Sequence, residues 1–403
     1  MDKKFLLNKS KVFCMLPWLH VNVAPKGYMF PCCIADSRNP IGHINQMSLA
    51  QAANSEQMKQ LRLDMLNERE NQYCKTCYAQ DSGDITPRKA SLSVHEHRFD
   101  DLVPNTNEDG SLNEFKMHYF DIRFSNICNF KCRTCNSGFS SSWEIEDRKQ
   151  LKIVDETIEK TNPIKLIDEV VEQIDNTDTF YFAGGEPLIT EEHYVVLEEL
   201  IRRNKTNVSI TYNSNVSNFK FKDKDLLALW SKFDNISLSC SIDHYGERAE
   251  YIRHGTDWGV VEANLKAVKQ LRNVQFSLNT VVNVFNYMTL TEFYQYLIDV
   301  GIVNQHSQFN RLYPMFTPEE ISAQILPTHL KQIGGNKITE FIPKLKYHDH
   351  LQILEFKSIK QWVEEADMWD TYRNMFIEET TKLDNIRGES FVKTFPELAS
   401  LMD

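Results

Sequence analysis

The spacing of apolar residues changes along the chain, and the changes predict its elements. Between about 116 and 312, short apolar or alternating runs (FKMHYFDIRFS, DTFYFAG, NVSITYNS, NISLSCSID, NVQFSLNTVV and a last one near Gln305 to Leu312) are separated by longer stretches such as EEHYVVLEELIRRN and WGVVEANLKAVKQL. The short runs have the period of strands and the longer ones that of amphipathic helices. Six strands with helices between them predict an α/β fold with a mostly parallel sheet of right-handed βα units. A curved, partial barrel and a doubly wound sheet both satisfy this periodicity. Within Asn235 to Asp243, Ile236, Leu238, Cys240 and Ile242 fall on one face and Ser237, Ser239, Ser241 and Asp243 on the other. The apolar face is expected under helices and the polar one toward an interior site.

Outside this region the texture differs. Leu49, Ala52, Met58, Leu61, Met65 and Leu66 predict one helix from Ser48 to about Asn67. The polar stretch from Ala79 to Glu114 reads as a linker or surface loop, with Asn105 to Gly110 as its mobile part. After Leu312 the pattern is helical to the end, and Trp362, Trp369 and Tyr372 read as packing residues. The expected organisation is 1–90, a small cysteine-rich α+β unit; 91–115, a linker; 116–313, the βα region; and 314–403, a helical extension.

The 403 residues are enough for two or three domains. The 45 Lys and Arg against 56 Asp and Glu leave a net charge of −11, so long-range attraction to nucleic acid or an anionic membrane is not expected. Arg202, Arg203 and Lys205 read as a solvated helix end. The chain contains no apolar run of about 18 residues, which points to a cytoplasmic, non-membrane protein.

The nine cysteines are grouped: Cys14, Cys32, Cys33, Cys74 and Cys77, then Cys128, Cys132 and Cys135, with Cys240 apart. In a reducing compartment, grouping of this kind indicates metal binding. The loop FSNICNFKCRTCNSG follows a strand and sets three soft ligands at C-x3-C-x2-C spacing, where ligands bind in α/β proteins. Three thiolates leave one iron of a cubane cluster open to an external ligand, whereas four close a site. The bland alternatives are a zinc site completed by a remote residue and a chance group of unliganded cysteines.

This loop, with Gly184-Gly185-Glu186-Pro187 after DTFYFA, resembles the signature of the radical S-adenosylmethionine superfamily. The resemblance implies a partial (β/α)6 barrel, a [4Fe-4S] cluster with an open iron site held by Cys128, Cys132 and Cys135, and S-adenosylmethionine. It assigns recognition of the methionyl amine to Gly184, Gly185 and Glu186, and further cosubstrate contacts to Asn213, Asn215, Ser241, Asp243 and Arg253. The residue before the last loop cysteine, often aromatic in the family, is Thr134 here, so adenine contacts must come partly from elsewhere.

The N-terminal text CMLPWLHVNVAPKGYMFPCC and the later CKTC resemble a twitch module, a shortened SPASM domain, placed before the barrel instead of after it. The chemistry of four thiolates alone admits a zinc ion or a second cluster. The resemblance implies an auxiliary [4Fe-4S] cluster on Cys14, Cys32, Cys74 and Cys77. Cys33 reads as a buried neighbour, a replacement ligand or a hydrogen-atom donor to a substrate radical.

The activity implied is reductive cleavage of S-adenosylmethionine to a 5'-deoxyadenosyl radical, which abstracts hydrogen from a peptide or protein side chain. The alternatives are an epimerase or dehydrogenase of a sugar, nucleotide or other small metabolite, and a non-enzymatic zinc-binding interaction protein. The expected partners are an external one-electron donor such as flavodoxin or ferredoxin, and a peptide or small polar substrate.

Overall fold

In the computed structural model, residues 2–79, 86–151, 163–303, 310–345 and 350–403 are described. The chain folds as two units, each interleaved in sequence. One takes Met1–Ile127, Asp155–Thr211 and Lys232–Asn235; the other takes Cys128–Val154, Tyr212–Ser231 and Ile236–Asp403.

In the first unit, Asn22–Val23 and Tyr28–Phe30 form an antiparallel hairpin, extended by Gly42–His43. Gly27, at φ +84°, makes the turn that a side chain would strain. Val23 also pairs in parallel with Ile122, and the strand Tyr119–Ile122 pairs in parallel with Thr179–Phe182. The cysteine-rich N-terminal segment is thus joined by backbone pairing to the first strands of the βα region. Backbone pairing between distant short strands leaves no periodic signal. Phe120, Phe180 and Phe182 stack beneath this sheet with centroids 5.2 and 6.0 Å apart, contacts worth about 0.5–1.5 kcal/mol each beyond burial.

Two expectations change. The Ser48 to Asn67 stretch forms two helices, Leu49–Ala53 and Glu56–Leu66, because Ser48 and Ser55 each cap a new start. The expected linker contains the helices Pro87–His95 and Phe99–Leu102 and buries Leu92, Phe99, Val103, Leu112 and Phe115. Its supposed mobile part is fixed by the fully buried Arg62, which donates to the carbonyls of Pro17, Ala53 and Gly110 at 2.9, 2.6 and 3.0 Å. Residues 80–85 of that stretch lie outside the described residues.

In the second unit, Ile236–Ser241, Val274–Val282 and Asn310–Pro314 are parallel neighbours, separated in sequence by the helices Trp258–Val268 and Leu290–Asp299. The alternation along Ile236–Ser241 is as expected: Ile236, Leu238 and Cys240 are buried and the serines half-buried. The last predicted strand is described over Asn310–Pro314, and its predicted first residues at 305–309 lie outside the described residues. The helical extension belongs to this same unit. Its helices include Thr328–Phe341, His350–Glu364 and Trp369–Arg387, and Glu355 accepts from the Leu312 amide at 2.9 Å. Trp362 and Trp369 meet Phe316 and Phe376, as packing residues would.

Candidate functional site

The C-x3-C-x2-C loop is held by its own polar groups. The Cys128 amide donates to Ser141 Oγ at 3.2 Å, Ser142 Oγ donates to the Cys128 carbonyl at 2.7 Å, and the Cys135 amide closes a turn onto the Cys132 carbonyl at 3.0 Å. Lys131–Cys132 pairs antiparallel with Arg253–His254, which brings Arg253 opposite Cys132. The Arg253 guanidinium stands 3.8 Å from the Cys132 sulfur and 2.8 Å from Asp243, whose other oxygen accepts from the Val281 amide at 2.8 Å. Gly255, at φ +107°, lets the backbone pass Asn129, where a Cβ would sit 2.8 Å from the carbonyl oxygen. Burial pushes the Cys132 thiol up to about 11 against the pull of Arg253, and raises Cys135 as well. Such thiols become ligands only where a cation replaces their protons.

The Gly-Gly-Glu-Pro turn packs on the residues that lead into this loop. Gly184 lies at φ +120°, and a Cβ on Gly185 would be 2.1 Å from the Ile127 carbonyl oxygen. The Glu186 amide donates to that same oxygen at 2.7 Å. Glu186 is 2% exposed, and one carboxylate oxygen caps the Leu188 amide at 3.1 Å. That oxygen is spent on the Pro187–Ile189 turn, a local role not anticipated from the motif. Asn215 joins Asn129 of the cysteine loop at 3.1 Å and accepts from Ser217 at 3.0 Å. Asn213 and Ser241 are half-buried, each on a strand.

The N-terminal cysteines come together from far apart. Cys14, Cys32, Cys33, Cys74 and Cys77 all line one cavity of about 450 Å³ with His20, Tyr119, Asp121 and Tyr181. Burial lifts Cys14 and Cys32, and Cys74 to about 12. Cys32 feels the charge of Cys33 first and then those of Cys14 and Cys74, while Cys33 feels Asp121 and Arg123. Cys33 is exposed, not buried as one expectation had it. Among the described residues, no three His, Cys, Asp or Glu side chains are drawn to the spacing of a single-ion site. Asp121 was not singled out from the sequence. It is 0% exposed, one of its oxygens lacks a hydrogen bond, and Arg123 lies 3.4 Å from the other. The signal for the pair was the i, i+2 spacing of Asp121 and Arg123 within FDIRFS.

Residues 122–297 match the family model described as the radical SAM superfamily, and residues 14–78 match SPASM, described as an iron-sulfur cluster-binding domain. The chain therefore contains a radical SAM domain, with a SPASM domain ahead of it. A radical SAM domain works with a [4Fe-4S] cluster and S-adenosylmethionine, and a SPASM domain adds iron-sulfur chemistry, so the zinc reading falls away. The residues present fit these groups: five thiols line one cavity in one region, and three thiols lie on one short loop beside a fixed guanidinium in the other.

Among solved structures, the chain is similar to "Native anSMEcpe with bound AdoMet" at 18% identity, covering 66% of this chain and 65% of that one with a TM-score of 0.36. It is similar to Streptococcus suis SuiB bound to S-adenosylmethionine at 12% identity, covering 72% and 62%, with a TM-score of 0.35. The chain therefore spans somewhat less than two thirds of the length of each. No curated protein matches it. Among the described residues, no helix is long and apolar enough to cross a membrane.

Proposed function

We propose that this protein generates a 5'-deoxyadenosyl radical and uses it to take hydrogen from a C–H bond of a peptide or protein side chain. The observation that carries the proposal is the pairing of Cys132 with Arg253 on a loop that bears three thiols. When bound, the cluster and S-adenosylmethionine supply the radical. Cys128, Cys132 and Cys135 serve as the ligands of the open cluster, and Arg253, held by Asp243, offers its fork to the methionine carboxylate. The backbone at Gly184 and Gly185, with the Glu186 carboxylate, receives the methionyl amine. Asn213, Asn215 and Ser241 orient the ribose. Cys14, Cys32, Cys74 and Cys77 close the auxiliary centre, and the electron comes from an external donor such as a flavodoxin or ferredoxin.

A second outcome is favoured by the exposure of Cys33 on the cavity beside Asp121. Cys33 gives its S–H hydrogen atom to the substrate carbon radical, completing an epimerisation. The resulting thiyl is restored by one electron from the donor and one proton from solvent. The test is an anaerobic reaction with dithionite, S-adenosylmethionine and, in separate runs, deuterated peptides, sugars and nucleotides. Deuterium in 5'-deoxyadenosine supports the proposal. Formation of 5'-deoxyadenosine that carries deuterium only from sugars or nucleotides rejects the peptide substrate. In D2O, product deuterium that disappears in Cys33→Ala identifies the thiol as donor, and its persistence rejects that role.

A further inference from the structure

The segment after residue 297 lies outside both family models, yet it grips the cysteine loop. Lys131 and Arg133 flank Cys132. Arg133 is buried and its Nη2 donates to Asp384 and Glu389, both at 2.6 Å. Its guanidinium lies 3.8 Å from the Tyr251 ring centroid, and the Tyr251 hydroxyl donates to Asp384 at 2.7 Å. The other oxygen of Glu389 pairs with His254 Nδ1 at 2.6 Å, and His254 is the backbone partner of Lys131.

A second network holds the other flank. Lys131 pairs with Glu146, whose second oxygen takes Arg387 at 2.8 Å. The Arg387 guanidinium stands 4.6 Å over the Trp143 ring, and the Trp143 indole N–H donates to the Cys132 carbonyl at 2.8 Å. Both flanks of Cys132 and its carbonyl are thereby tied to the turn at 384–389. Stability alone does not call for such an arrangement, since buried ion pairs are commonly matched or exceeded by apolar packing. Fixing a loop in one geometry does call for it.

We propose that the C-terminal segment from Asp384 to Glu389 is a clamp that positions the C-x3-C-x2-C loop, with Asp384, Arg387 and Glu389 as positioning residues. The inference rests on the reading of Cys128, Cys132 and Cys135 as cluster ligands. The clamp sets the direction of Cys132 and, through the backbone pairing, of Arg253 toward the cosubstrate carboxylate.

The experiment compares full-length, anaerobically reconstituted wild type with Arg133→Gln, Glu389→Gln and Phe356→Leu, the last a core change in the same helical extension. S-adenosylmethionine affinity is read from the shift of the reduced cluster's EPR signal, together with its midpoint potential, iron content and thermal midpoint. Arg133→Gln and Glu389→Gln are expected to weaken binding about tenfold, the usual scale for lost outer-shell partners, and to move the potential. Loss of the loop's iron alone is the same result in its extreme form, and Arg133→Lys should recover part of it. Phe356→Leu should lower the thermal midpoint and leave affinity and potential unchanged. Wild-type affinity and potential in both clamp variants, or equal changes in Phe356→Leu, overturn the clamp. A wild type that holds no iron on the loop overturns the cluster reading beneath it.

Discussion

The two groups of cysteines are built in opposite ways. Cys128, Cys132 and Cys135 lie within eight residues, on a loop whose own hydroxyls and turns shape it and whose flanks are locked by buried ion pairs. Cys14, Cys32, Cys74 and Cys77 are gathered from 64 residues of chain around a mostly apolar cavity. A local loop with three ligands can be rigid while keeping one position free for a cosubstrate. A centre assembled from distant segments gains from having every position closed, because each ligand also fastens its segment.

The sharpest way to break this comparison is to remove one ligand from each group. Cys132→Ala should abolish 5'-deoxyadenosine formation altogether. Cys74→Ala should still form 5'-deoxyadenosine while losing modified product, as measured by liquid chromatography and mass spectrometry. Equal losses from both would erase the distinction.

Next in size is the ion pair behind the loop. Arg387 and Glu146 have side chains 0% and 4% exposed, so Arg387→Ala should cost about 3 kcal/mol, the low end for a broken buried pair because Lys131 still holds Glu146, read by chemical denaturation. The same region should be acid-labile. Burial opposes ionisation of Glu146 and Glu389, but Arg387 with Lys131, and His254 with Arg133, outweigh it and hold both carboxyls below their usual range. A depressed folded-state value means stability present above the ordinary glutamate pKa and lost as pH falls through that range and below. A denaturation series across acid pH should show this loss, and Glu389→Gln should flatten it.

Gly185→Ala comes next, at roughly 1–3 kcal/mol. Its new Cβ would collide with a backbone oxygen, and S-adenosylmethionine affinity should fall with stability. The smallest effect is that of Ser48→Ala, about 1 kcal/mol from a lost capping box in the N-terminal region, with 5'-deoxyadenosine formation unchanged in a timed assay.

Much of this was legible in the sequence where the signal is local. The strands Tyr119–Ile122, Thr179–Phe182, Ser209–Ser214, Ile236–Ser241 and Val274–Val282 fall inside the predicted runs, because period and β-branched content are properties of a few neighbours. The cysteine loop and the Gly-Gly-Glu-Pro turn are contiguous for the same reason. What was missed is non-local: Val23 pairing with Ile122, Arg62 bonding to the distant carbonyls of Pro17 and Gly110, and Arg133 reaching Glu389 across 256 positions. A lone arginine among polar residues carries no mark of the partner it will meet. Helix breaks at Ser55 and the inward cap by Glu186 were hidden by continuing hydrophobic or motif patterns.

The most direct measurement is EPR of the reduced Cys74→Ala protein with and without S-adenosylmethionine, alongside iron and sulfide analysis. The account predicts about four iron and four sulfide per chain, half the wild-type content of about eight of each, and a signal that still shifts on adding the cosubstrate. A signal that does not respond to S-adenosylmethionine, or zinc in place of iron and sulfide, would contradict it.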